Sequence, residues 1–140
     1  MTVLFLCRQN AGRSQMAQAF FEKAAPEHRA VSAGSSPAAH VHSAVVDAMH
    51  EIGFDLVGRR PTKVDAGMLA TAEIVISMGC DDPAVCDYPG RKVEDWAIPD
   101  PAGKPVEEVR AIRDLLRSKV DELAERLRST ASRGHASQVQ

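Results

Sequence analysis

Two short apolar runs that do not alternate with polar residues, TVLFL at 2–6 and EIVIS at 73–77, constrain the fold most. A strand with one wet face alternates, whereas one that stays apolar is covered on both sides, as in a parallel sheet. Segments of helical spacing fill the intervals. Met16, Ala17, Ala19, Phe20 and Ala24 recur from Arg13 to about Ala25, and Pro26 ends that segment. Val45, Val46, Met49 and Ile52 stripe a second helix over 42–52, with Gly53 as its stop. DAGMLAT at 65–71 predicts a third, with Asp65 as its N-cap. Shorter strands are expected at 30–32 and 93–97. Pro105 sits in the first turn of a last helix, whose stripe is Val109, Ile112, Leu115, Leu116, Val120, Leu123 and Leu127. Strands alternating with helices imply one α/β domain over 1–128, its parallel sheet wrapped on both faces with right-handed crossovers. The polar stretch 129–140 is expected to be a flexible tail.

The 140 residues carry a formal net charge of −2, which gives no global case for binding nucleic acid or an acidic membrane surface. No apolar run has the length of a membrane span, and no signal-type pattern opens the chain, so a cytoplasmic monomer is expected. Three cysteines, an odd number, do not suggest a secreted disulfide framework. In a reducing compartment the cysteines that matter are more often catalytic, redox-active or metal-binding.

Cys7 stands where the first strand meets the first helix, in Cys7-Arg8-Gln9-Asn10-Ala11-Gly12-Arg13-Ser14, or C-x5-R-S. In parallel α/β sheets the first strand-to-helix turn is a preferred ligand position. A tight turn at a helix N-terminus aims backbone N–H groups inward and makes an anion cradle. Arg13 can grip two oxygens of a tetrahedral oxyanion. Cys7, beside that arginine and the helix dipole, meets the conditions under which a thiol is held as thiolate. Ser14 can add a hydrogen bond to the sulfur, while Asn10 and Gly12 tolerate unusual backbone angles. A buried cysteine at a strand end is more often a small hydrophobe; the setting between buried strand and helix is what carries the catalytic reading. The nucleotide pattern G-x4-G-K-[ST] is absent.

C-x5-R-S after an apolar strand, followed by SQMAQAF, SAG at 32–34 and Asp100-Pro101, resembles the low-molecular-weight protein tyrosine phosphatase superfamily. The resemblance runs from Val3 to about Leu127. It implies a four-stranded parallel sheet flanked by helices, with Cys7 as nucleophile, Arg13 as oxyanion clamp, Ser14 as thiolate stabiliser and Asn10 shaping the loop. It makes Asp100, on the facing loop, the general acid, which suits expulsion of an oxygen leaving group.

Two outcomes share this loop. A phosphatase hydrolyses the thiol-phosphate with water, whereas an arsenate reductase needs further thiols to deliver two electrons. Cys80 and Cys86 lie in the Gly/Pro/Asp-rich stretch after EIVIS, and C-x5-C there is similar to the redox pair of thioredoxin-coupled arsenate reductases. The implied relay runs Cys7, Cys80, Cys86, with thioredoxin or a glutaredoxin-like protein as reductant, arsenate as substrate and phosphate or sulfate as competitors. No tightly bound cofactor is implied. A low-molecular-weight thiol system, a tyrosine phosphatase and a non-enzymatic anion-binding domain remain the alternatives. DPAGK at 100–104 lacks the aromatic residues with which phosphatases of this group flank a phenyl ring, though Tyr88 and Trp96 are further candidates for that role. Some of the similar reductases bind potassium through an acidic residue on the first helix. Gln18 stands there, leaving Asn10, Ser32 and Asp65 as oxygen donors. The five histidines show no ligand spacing, and no metal site is expected.

Overall fold

The computed structural model describes residues 1–79 and 93–139, with side chains through Thr130. Its elements are β1 (Thr2–Cys7), α1 (Arg13–Ala24), β2 (Arg29–Gly34), α2 (Ser43–His50), α3 (Ala66–Thr71), β3 (Ile74–Ser77), β4 (Val93–Asp95) and α4 (Val106–Val139). The four strands are parallel in the order β2-β1-β3-β4, so β1 lies inside the sheet between β2 and β3. The family-like architecture expected from the sequence is the one observed.

Two apolar layers explain why β1 does not alternate. Val3, Phe5 and Cys7 face a large cluster with Phe20, Met49, Leu116 and Leu123, brought by α1, α2 and α4. Leu4 and Leu6 face a smaller one with Ala33, Val64, Leu69 and Val75, beneath α3. Burial of each large side chain is worth about 1.5–3 kcal/mol, so both layers hold the strand. Register then fixes the upper edge of the sheet: Cys7 pairs with Gly34, Leu6 with Ser77, and Ser77 with Asp95.

The caps follow the chemistry of their residues. Asp65 takes the N–H of Met68 on its carboxylate at 2.8 Å, and Gly53 ends the turn after α2 at φ +88°. Pro105 lies one residue ahead of α4 rather than inside it, and its carbonyl accepts from Glu108 and Val109. The stripe of α4 also needs correction. Leu115 is 41% exposed, whereas Ala124 is buried, because Leu115 and Leu116 point about 100° apart and only one can lie on the seam. Arg113, adjacent on the helix, goes inward and donates to the Ala48 carbonyl and to Glu51. Helical backbone continues to Val139, past Leu127 where the apolar stripe ends and where the composition suggested a loose tail. Each added helical residue gains a hydrogen bond, so no apolar contact is needed to propagate the ladder.

Candidate active site

The segment between β1 and α1 is sunk into the protein: Cys7, Asn10, Ala11 and Ser14 are buried and Arg13 nearly so, while Arg8 and Gln9 form the more open rim. Its carbonyls are turned outward. Those of Arg8, Gln9 and Ala11 accept from the N–H groups of Ser36, Ala38 and His42 at 2.7, 3.0 and 2.9 Å. In a trans peptide the N–H points opposite to its carbonyl, so the N–H groups of Gln9, Asn10 and Gly12 face the interior of the turn. This is the donor-lined concavity that binds anions.

A chain of hydrogen bonds ends at the sulfur. The N–H of Thr62 donates to Asn10 Oδ1 at 2.8 Å, which fixes the orientation of that carboxamide. Asn10 Nδ2 therefore donates to Ser14 Oγ at 2.6 Å. Having accepted there, the Ser14 hydroxyl still has its own proton to offer Cys7 Sγ, 2.9 Å away. Thiol or hydroxyl can donate in this contact, and only the hydroxyl can once the sulfur is a thiolate. Asn10 holds this position with φ at +51°, the left-handed region that asparagine tolerates best after glycine. Gln15, also buried, donates from Nε2 to both the backbone oxygen and Oδ1 of Asn10. Sequence reasoning missed Thr62 and Gln15. Their signal is only that a left-handed asparagine must be held by something.

Arg13 and Asp100 come together across 87 residues of sequence. Arg13 Nη1 donates to the Ile98 carbonyl at 3.1 Å, and Nη2 lies 3.7 Å from Asp100 Oδ2. The Asp100 side chain is half exposed, at the mouth, and its Oδ1 accepts from the N–H of Ala102. Close approach explains two glycines. A Cβ at Gly12 would fall 2.9 Å from Pro101 Cγ, and one at Gly34 would fall 2.7 Å from the Arg8 oxygen and 2.8 Å from the Asn10 nitrogen. The DP turn and the end of β2 thus rest directly on the loop.

Trp96 is buried against Phe5 and bonded to Glu94, so it offers no face to the mouth. Cys80, Cys86 and Tyr88 lie outside the described residues. Of the oxygens near Gln18, those of Asn10 accept from Gln15 Nε2, the Gln18 carboxamide oxygen accepts from Ser32, and one oxygen of Asp65 accepts from the N–H of Met68.

Comparison with known proteins identifies the family. Residues 2–133 match the family described as low molecular weight phosphotyrosine protein phosphatase. A putative arsenate reductase of Halobacterium salinarum is 42% identical over 125 residues, covering 85% of this chain and 87% of that protein. The thioredoxin-dependent arsenate reductase Cg_ArsC1' of Corynebacterium glutamicum superposes with a TM-score of 0.77 at 30% identity, over 92% of this chain and 62% of the other. A YwlE mutant from Bacillus subtilis has a TM-score of 0.81 over 91% of this chain and 99% of its own, but at 23% identity it speaks for the fold alone. The chain belongs to the low molecular weight phosphotyrosine protein phosphatase family.

Proposed function

We propose that the protein is an arsenate reductase that works through Cys7, Cys80 and Cys86. The observation that carries this reading is the convergence on one anion-shaped turn of the Cys7 sulfur, 2.9 Å from the Ser14 hydroxyl, a guanidinium and a half-exposed carboxyl. The relatives named arsenate reductases support it. Cys7 attacks the arsenic of arsenate, bound by the turn's N–H groups and Arg13. An oxygen leaves as water with a proton from Asp100, giving a thiol-arsenate adduct. Cys80 then attacks the Cys7 sulfur. Two electrons pass to arsenic, arsenite departs, and a Cys7–Cys80 disulfide remains. Cys86 displaces Cys7 from Cys80, and a dithiol protein of the thioredoxin kind reduces the Cys80–Cys86 bond. In this reading Cys80, the residue after Gly79, is the first thiol to act; an ideal Cβ on Gly79 would fall 2.5 Å from Arg13 Nη1, which supports that order.

The chemistry needs reduced thiols, so we place it in a reducing compartment; no helix among the described residues is long and apolar enough to cross a membrane. Phosphomonoester hydrolysis is the second reading, because Cys7, Arg13 and Asp100 suffice for it. The deciding experiment follows NADPH oxidation with arsenate, thioredoxin and thioredoxin reductase. Wild type should turn over, while Cys80→Ser and Cys86→Ser should fall to background. Strong p-nitrophenyl phosphate hydrolysis, equal in all three proteins and without arsenate turnover, would establish the phosphatase instead.

A further inference from the structure

We infer that Gly79 is a positioning residue for oxyanion recognition, acting through Arg13. The inference rests on the reading above, in which Arg13 grips the oxyanion. Gly79 follows β3 at φ +85°, and a Cβ built there would lie 2.5 Å from Arg13 Nη1, 3.2 Å from Cζ and 3.3 Å from Nη2. A glycine α-carbon therefore forms one wall of the guanidinium's seat.

The 98–100 segment also bounds that seat: it holds Nη1 through the Ile98 carbonyl and places Asp100 beside Nη2. Arg13 is only 8% exposed, so it has no free solvent into which to retreat. The wall itself is firm. Met78, one residue earlier, donates its N–H to the Leu6 carbonyl at 2.7 Å and is fully buried, which ties this backbone to the same strand that carries Cys7. Any side chain at position 79 must push the guanidinium out of line with the turn's N–H groups. A bidentate grip depends on the angle of the fork, so the cost falls on anion affinity. The position thus selects glycine twice, for its φ and for the space the arginine takes, and the two demands separate by substitution. Asparagine accepts the left-handed φ, as Asn10 does in this protein, yet brings the same Cβ as alanine.

The test measures protection of Cys7 from iodoacetamide by inorganic phosphate in wild type, Gly79→Asn and Gly79→Ala, each in the Arg13 and Arg13→Lys backgrounds, with melting temperatures alongside. Both Gly79 substitutions should weaken phosphate about tenfold when Arg13 is present. In the Arg13→Lys background they should change it less than about twofold, because the group being displaced is gone. Equal losses in both backgrounds, or Gly79→Asn that folds and binds phosphate like wild type, would overturn the inference. If Gly79→Ala fails to fold, the asparagine pair decides alone. Wild type that gains no protection from phosphate would overturn the oxyanion reading itself, which is a different failure.

Discussion

Ser14 joins Cys7 to a chain of hydrogen bonds that starts at Thr62. Hydroxyl and thiol can each donate; the Thr62 N–H orients Asn10, Asn10 donates to the hydroxyl oxygen, and toward a thiolate the hydroxyl alone can donate. Ser14→Ala should slow alkylation of Cys7 at pH 7 by about tenfold, the worth of one hydrogen bond to a charged group. A rate equal to that of wild type would show that the hydroxyl does nothing for the sulfur. Cys7, Arg13 and Ser14 were legible in the sequence because their chemistry sits within eight consecutive residues between a strand and a helix. Gly34 and Gly79 were not. They act by lacking a side chain opposite a loop that only the folded sheet brings near, and composition carries no trace of that.

Elements of this molecule meet through two kinds of contact, backbone against backbone and charge against charge. The end of β2 is the first kind. Gly34→Ala drives a methyl into the Arg8 and Cys7 carbonyl oxygens and the Asn10 nitrogen, atoms that cannot swing aside as a side chain would. It should destabilise the fold by about 1–3 kcal/mol in urea unfolding and weaken phosphate protection of Cys7 as well. The junction of α2 and α4 is the second kind. Glu51 accepts from Arg110 and Arg113, and the hydrogen bond from Arg110 is the chief reason its carboxyl lies below the ordinary 4.5. A lowered folded value means stability that is present above the unfolded value and lost as pH falls through the folded one. Glu51→Gln should therefore lower the melting temperature at pH 7, and its difference from wild type should shrink as pH drops below about 4.5. A difference that is constant from pH 7 to pH 3 would show that the carboxylate's charge plays no part. The inward turn of Arg113 was hidden for a related reason: periodicity counts a charged residue as surface, and only the carbonyl end of α2 gives it a use.

Over the whole molecule the parallel sheet was more legible than the extent of the last helix. Apolar runs without alternation must be covered twice, and that requirement points to a parallel sheet before any pairing is known. No comparable rule says where a polar helix stops. Among the described residues the last buried side chain of α4 is Leu127, and we expect a chain ending at Arg128 to melt within about 2 °C of the full protein and to keep its phosphate protection. A larger loss, seen in a thermal scan, would show that residues 129–140 are held by the fold.

Parallel strands give the molecule a polarity that a user can exploit. Cys7, Gly34 and Gly79 all lie at or just beyond the carboxyl ends of strands, whereas the Met1 carbonyl takes the N–H of Arg29 at the amino edge. Five strand steps separate residue 2 from Cys7, about 17 Å at 3.3 Å each. A linker joined at residue 1 would bind the protein to a bead or electrode by its foot, with the anion-binding mouth facing the solution. A monolayer laid down this way would be ordered by chain direction alone, and every molecule in it could sample oxyanions from the liquid above.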